Sequence, residues 1–549
     1  MITLDGKGVY GGIAIGRLSF FHRSSEEIGK KTVADTDGEL KRFNDAIKTA
    51  KKELKKLYAT ALREIDEESA AIFEIHGMML EDEDYNGEIT RLIKAEHINA
   101  EYAVQATGSS FAESFEAMDD AYMQARGADI RDISNRLITI LSGKESKEIS
   151  PSEGNIICAD DLTPSETIQL DREKISAFVT AGGSVSSHTA ILSRSLGIPA
   201  VLDVGEDLLT LTDGAEAIVD GFTGKVYISP DDETKKIMTE RLSEEKKRRE
   251  LLETYKGLDN VTLDGRRIEI YANIQGLREL SAVRSNDAGG IGLFRSEFLY
   301  LDRNDFPSED EQFEVYKTVL EKMEGKKVII RTLDIGADKQ VDYFGLERED
   351  NPALGLRAIR ICLTRPEIFR PQLRALYRAS VYGSLSIMCP MICSVDELLR
   401  VKKIIADVKE ELDGEGIPYA ENTELGIMIE TPAAAIISDK LAPHVDFFSI
   451  GTNDLTQYTL ALDRQNRRLE QFYKPHHEAV LRLIRFTADS AHKNGKWVGI
   501  CGELGSDLSL TETFLEMGID ELSVSPSYVL PLRDIIRRTD LTKRKENKK

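Results

Sequence analysis

Leu425-Gly426-Ile427-Met428-Ile429-Glu430-Thr431-Pro432 is a short apolar run that stops at a carboxylate. A run of this length, bounded by polar residues and proline, reads as a buried strand. The same texture recurs on both sides of it, at 267–273, 290–297, 327–334, 384–391, 447–453, 497–502 and 521–525, with helical patterns between most of the runs. Eight strands interleaved with helices over a region of this size predict a (β/α)8 barrel.

Such a barrel builds its active site at the C-terminal ends of the strands. There the sequence puts Arg295-Ser296-Glu297, Arg331-Thr332-Leu333-Asp334, Glu430-Thr431-Pro432, Gly451-Thr452-Asn453-Asp454 and Cys501-Gly502-Glu503, with Arg357 and Arg464 on loops able to reach the same mouth. Arginine fits phosphate and carboxylate through paired N–H donors. Glu430 and Asp454, on adjacent strands, suit a hard cation such as Mg²⁺, whose shell is completed by water and substrate phosphate. Cys501 supplies a titratable proton. The set suits a small anion that carries phosphate and carboxylate and has one carbon to be protonated; phosphoenolpyruvate is a molecule of that kind.

A second candidate site lies upstream. In Gly182-Gly183-Ser184-Val185-Ser186-Ser187-His188-Thr189-Ala190 an apolar strand ends in a glycine pair, and a run of serines delivers His188 to the start of a helical stretch. Unpaired N–H groups at a helix start welcome phosphate, and glycine lets the backbone come close to it. A neutral imidazole held there is a nucleophile for a phosphoryl group.

The 549 residues exceed what one core supports, so several domains are expected. Residues 1–24 and 146–230 read as one α/β domain, 25–145 as a proline-free helical insertion, 231–258 as a charged linking helix and 259–549 as the barrel. The helical part is acid-rich, notably at Glu81-Asp82-Glu83-Asp84 and at Glu113, Glu116, Asp119 and Asp120. That pattern suits either a solvated face or a docking surface for a basic partner. The net charge of −23 argues against nucleic acid as a partner. No apolar run is long enough to span a bilayer, which argues against membrane insertion, and the start has no export signal. The five scattered cysteines fit neither a disulfide framework nor a zinc site, so a reducing cytoplasm is expected.

The chain closely resembles enzyme I of the bacterial phosphoenolpyruvate:sugar phosphotransferase system. The resemblance is carried by the strand-end motifs above, by Asp161-Leu162-Thr163-Pro164-Ser165-Glu166-Thr167, by Ser187-His188-Thr189-Ala190 and by Asn351-Pro352-Ala353-Leu354-Gly355-Leu356-Arg357, all in one uninterrupted order. It implies a multidomain α/β architecture: a swivelling phosphohistidine domain, an inserted helical domain that docks the phosphocarrier HPr, a linking helix and a C-terminal TIM barrel that dimerises. It also implies roles. His188 is the phosphorylated residue, with Thr167 its hydrogen-bond partner and Arg357 supporting the mouth. Arg295, Arg331, Asn453, Asp454 and Arg464 hold phosphoenolpyruvate, Glu430 and Asp454 bind Mg²⁺, and Cys501 protonates the enolate to give pyruvate. One histidine serving two sites demands a moving domain, for which Gly221, Gly224 and Gly257 are candidate hinges.

Two departures stand out. The family reads Gly-Gly-Arg-Thr-Ser-His up to its histidine, whereas Ser184, Val185 and Ser186 stand here in place of the second glycine, the arginine and the threonine. The family also continues through more helical sequence after the stretch Ile535-Ile536-Arg537-Arg538. A pyruvate phosphate dikinase would need a nucleotide-grasp domain, for which 1–33 leaves no room. A non-catalytic phosphoenolpyruvate sensor would need neither His188 nor Cys501.

Overall fold

In the computed structural model the chain folds as two units, Met1–Arg249 and Glu250–Lys549. The structure describes all residues except 22–27, 65–66, 117–120, 144–154, 164–165, 167–173, 184–186, 188, 191, 194–196, 302, 304, 337–341, 348, 465, 467–468, 470–471 and 543–549.

The first unit opens with three strands, β1 (Ile2–Asp5), β2 (Lys7–Tyr10) and β3 (Ile13–Phe20), then five helices, α1 (Thr36–Glu64), α2 (Glu67–Met79), α3 (Glu83–Glu96), α4 (Ala100–Glu116) and α5 (Ala121–Leu141). Five further strands follow, β4 (Asn155–Ala159), β5 (Ile175–Thr180), β6 (Ala200–Leu202), β7 (Glu216–Asp220) and β8 (Lys225–Ile228), then helix α6 (Asp232–Glu253). All eight strands form one sheet in the order β1-β8-β7-β3-β4-β5-β6-β2. β3 pairs in parallel with β4, Arg17 opposite Asn155, so the helices are an insertion between two neighbouring strands. The bundle buries Phe43, Leu54, Phe73, Ile89, Ile93, Val104, Ile133 and Leu137. The buried stripe of α2 is Phe73 with His76, while Ile72, Ile75 and Met79 flank it half-buried. His76 is wholly enclosed, its ring nitrogens 3.1 Å from Asp129 and 3.5 Å from Asp132.

The second unit is the expected barrel. Strands β9 (Glu269–Ile274), β10 (Ile291–Arg295), β11 (Val328–Arg331), β12 (Leu385–Cys389), β13 (Glu424–Ile429), β14 (Phe447–Ile450), β15 (Trp497–Ile500) and β16 (Glu521–Val524) run parallel and close on themselves through the β16–β9 pairing. The barrel is therefore closed before the helix Val529–Arg538 begins. Helices start where the sequence caps them: Ser308 with Glu311 and Ser394 with Glu397 make reciprocal capping boxes. Inside the barrel Tyr271, Leu293, Ile329, Met388, Met428, Phe447 and Cys501 form a small apolar core. Phe447 stacks on Trp497 with ring centroids 4.4 Å apart, and a Cβ on Gly426 would stand 2.3 Å from the Phe447 ring. A ring held on both sides cannot yield. Gly426→Ala is therefore expected to lower stability by about 1–3 kcal/mol, the usual cost of overpacking, read as an earlier urea midpoint.

The candidate hinges turn out to be tied down. Gly221 and Gly224 lie in the β7–β8 turn, where Gly221 donates to the Gly12 carbonyl at 2.9 Å and Gly224 accepts from Gly6 at 2.8 Å. Gly257 donates to Asp287 at 2.7 Å, and buried Arg533 holds both the Tyr255 carbonyl, at 2.8 Å, and Asp287. These glycines serve close approach and turning: Gly224 and Gly257 have φ of 70° and 76°.

Candidate active site at the barrel mouth

Most strands stop one to three residues short of their apolar runs, and the polar residues just past the ends converge. β13 ends at Ile429, and Thr431 immediately caps the next helix, its hydroxyl accepting from Ala434 N–H at 3.1 Å, with Pro432 in the first turn. Glu430 is pinned between strand and helix with 1% of its surface exposed. Its Oε1 accepts from the Met391 N–H at 2.6 Å. Met391 makes that bond from φ 57°, and Ala358, directly after Arg357, sits at φ 52°. Both conformations are costly for residues with a Cβ, about 1–3 kcal/mol each, and such strain clusters at functional sites. Burial raises the Glu430 pKa, and the Asp454 and Asp334 carboxylates raise it further, against the pull of Arg331 and Arg357.

The charges form a continuous chain around the mouth. Arg331, last residue of β11, lies in register with Arg295, last of β10. Arg331 pairs with Glu297 and, at 2.9 Å, with Asp334. Asp334 also accepts from Arg357 at 2.9 Å. Arg357 stands 3.8 Å from Asp454 and donates to the Tyr458 hydroxyl at 3.2 Å. Arg464 approaches the other Asp454 oxygen at 3.8 Å. Donors remain over: Arg331 Nε and Arg357 Nε are buried without a partner among the described residues, and Arg295 pairs with none of these either. Asn453 and Glu503 bind each other, side-chain amide to carboxylate at 3.0 Å and Glu503 N–H to Asn453 Oδ1 at 2.9 Å, tying the ends of β14 and β15.

Cys501 follows β15 and is 3% exposed among the apolar residues of the barrel interior. Burial above all pushes its thiol up to about 12. The sulfur thus keeps its proton at neutral pH.

The mouth therefore unites Arg295, Arg331, Arg357, Glu430, Asn453, Asp454, Arg464 and Cys501. His188 and Thr167 lie outside the described residues, as do Ser184, Val185 and Ser186. Three contributors went unassigned in the sequence. Asp334 bridges two arginines, a role that its place three residues after Arg331 could have suggested. Tyr458 and Gln372 gave no signal; Gln372 is fully buried and ties the Leu333 N–H, at 3.0 Å, to the Ser296 hydroxyl, at 3.0 Å. Among the described residues no group of three or more His, Cys, Asp or Glu side chains is arranged to hold a metal by itself. Glu430 and Asp454 nonetheless fit a divalent cation of the Mg²⁺ type, which takes one or two carboxylates and draws its other ligands from water and phosphate. No helix among the described residues is long and apolar enough to cross a membrane.

Three families of PEP-utilising enzyme match the chain: the N-terminal domain over residues 5–126, the mobile domain over 151–224 and the PEP-binding domain over 249–541. The phosphoenolpyruvate-protein phosphotransferase of Bacillus subtilis (strain 168) is 44% identical over 539 residues, covering 98% of this chain and 95% of that protein. That of Geobacillus stearothermophilus is 44% identical over 544 residues, covering 98% and 93%. A solution structure of Enzyme I (nEIt) is 32% identical, with a TM-score of 0.38 over 44% of this chain and 99% of its own. With this likeness running through nearly its whole length, the chain belongs to the phosphoenolpyruvate-protein phosphotransferase family of PEP-utilising enzymes.

Proposed function

We propose that the chain moves the phosphoryl group of phosphoenolpyruvate to His188, releases pyruvate, and passes the group to the histidine of HPr, as the first step of sugar uptake in the cytoplasm. The observation that carries this reading is the barrel mouth: arginines with unspent donors, a buried carboxylate pair and a protonated thiol face one another. Arg295, Arg331 and Arg464 would grip phosphate and carboxylate, and Asn453 would orient them. Mg²⁺, bound by Glu430 and Asp454, would offset the charge of phosphate and developing enolate.

His188 attacks the phosphorus with a ring-nitrogen lone pair while the phosphorus–oxygen bond to the enol breaks, leaving enolpyruvate. The enolate carbon then takes the Cys501 proton, and pyruvate leaves. A thiol near 12 is apt for this: it does not ionise before the basic carbon forms, and Arg331, whose charge lowers the cost of the thiolate, steadies what remains. Thr167 would position the His188 ring. Arg357 would hold Asp334 and Asp454 in place.

HPr would dock on the helical segment 25–145, where Glu81, Asp82, Glu83, Asp84 and Glu113 are exposed. The domain division would follow the sequence reading, with 1–24 and 146–230 carrying the histidine. We take the active form to be a dimer through the barrel. Mass spectrometry tests the route. Phosphoenolpyruvate with Mg²⁺ should add one phosphoryl group to the peptide containing His188, and HPr should remove it. A label on another residue, or one that HPr leaves in place, overturns the assignment.

A further inference from the structure

We propose that the barrel carries a second anion site at the pole opposite the mouth, for a compact ligand bearing phosphate or carboxylate groups. A hollow of about 230 Å³ opens beside the N-terminal ends of β13 and β14. Its wall includes Tyr377, Lys402, Lys409, Thr423, His444 and Lys496. Thr423 immediately precedes β13, whose far end leads into Glu430, so hollow and mouth share a strand but not a surface.

Three features point to a ligand. The first is charge: three lysines and a histidine line the hollow against one carboxylate, Asp446, in a chain whose net charge is −23. One Asp446 oxygen is already spent on the Leu425 N–H at 2.9 Å. The second is unmet hydrogen bonding. An ammonium carries three donors. Lys402 spends one on the His444 carbonyl at 3.1 Å. The ammonium groups of half-buried Lys409 and Lys496 and the hydroxyl of Tyr377, a residue 2% exposed, bond to no described residue. The third is placement. The Lys409 ammonium is held 4.8 Å from the Tyr377 ring centroid and 5.3 Å from that of Tyr419, so aromatic faces fix it without an ion pair to any described carboxylate. Burial lowers its pKa, partly opposed by Glu421 and Asp413, which lie too far for an ion pair. An anion in the hollow supplies acceptors to all these donors at once, with charge-assisted bonds. The site is independent of the phosphotransfer reading and makes no use of the mouth.

Lysine acylation of the full-length protein, quantified by mass spectrometry residue by residue, tests it. The arms are inorganic phosphate, malonate and chloride at matched ionic strength. Phosphate, malonate or both should slow acylation of Lys409 and Lys496 by about tenfold at roughly ten times the dissociation constant, the mass-action factor for a single site. Exposed Lys247 on α6 serves as the unprotected reference. Protection by one arm alone assigns the ligand as a phosphate or as a dicarboxylate. Lys496→Gln, which removes only a half-buried surface ammonium, should weaken protection at Lys409 several-fold. No protection, equal protection by chloride, or full protection of Lys409 in Lys496→Gln overturns the proposal. Because the readout is resolved by residue, anion binding at the barrel mouth does not affect it.

Discussion

His188→Ala is expected to take up no phosphoryl group from phosphoenolpyruvate while binding it as tightly as the unsubstituted chain. Removing the imidazole removes the only group proposed to form a bond to phosphorus. The proposed ligands of the substrate all belong to the unit Glu250–Lys549, whereas position 188 falls within the span of the unit Met1–Arg249. Binding and bond formation are thus divided between two parts of the chain, and a substitution in one should leave the other untouched. Calorimetry of phosphoenolpyruvate with Mg²⁺ gives the binding arm, and transfer of labelled phosphate gives the chemical arm. The combination expected, an unchanged dissociation constant with no detectable label, differs from a folding defect, which would weaken both. A mutant that loses binding would mean that the histidine is part of the ground-state pocket. A mutant that still takes label would mean that another residue is the acceptor.

The barrel was legible because its signal is local and repeated. All eight apolar runs became strands, since a run of four to six buried residues between breakers has few alternatives in a parallel sheet. The strand ends were less legible. The run read at 327–334 stops at Arg331 in the structure, and the one read at 447–453 stops at Ile450. Leu333 is as apolar as any strand residue, yet its N–H goes to the Gln372 side chain, a partner 39 positions away. Periodicity cannot see such a partner. Residue types at the mouth were readable one at a time, but the order of the charges was not: Asp334 bridging Arg331 and Arg357 depends on the turn that brings 357 back over β11. The positive φ at Met391 and Ala358 left no trace either, since neither residue type advertises it. In the first unit, sequence suggested that 1–24 joins the later strands, and the structure supplies the reason: β3 sits at the centre of the sheet between β4 and β7. The cationic hollow draws Lys402 and Lys409 from one helix and His444 and Lys496 from two connecting segments, a meeting that no spacing in the chain encodes.

Glu430→Gln and Asp454→Asn are each expected to cut turnover by about 10³-fold or more and to abolish its response to Mg²⁺. Both changes keep shape and volume, so the loss reports charge. In the intact site the two carboxyls are buried at 1% and 8% exposure, and the Asp454 charge helps to raise the Glu430 pKa. Two anions crowded in a poorly solvated place are unfavourable unless a cation joins them. The neighbouring guanidiniums do not relieve this fully, because Arg331 is occupied by Glu297 and Asp334, and Arg357 by Asp334. Neutralising one carboxyl should therefore relax the protein while disabling the reaction. A divalent cation at a phosphoryl or enolate oxygen is worth several kcal/mol in the transition state, and each 1.36 kcal/mol is about tenfold in rate. The two variants should differ in one respect. Glu430 accepts the Met391 N–H through Oε1, and glutamine can keep that bond through its carbonyl oxygen, so Glu430→Gln should unfold at the same or a higher temperature than the unsubstituted chain. Asp454 stands within 3.8 Å of both Arg357 and Arg464, so Asp454→Asn leaves two guanidiniums facing an amide and should be the less stable of the pair. Turnover measured across a Mg²⁺ titration, alongside thermal unfolding, separates the outcomes. Normal Mg²⁺-stimulated turnover in either variant would remove that carboxylate from the metal site. A stability loss in Glu430→Gln as large as in Asp454→Asn would show that the buried glutamate serves the fold through its charge.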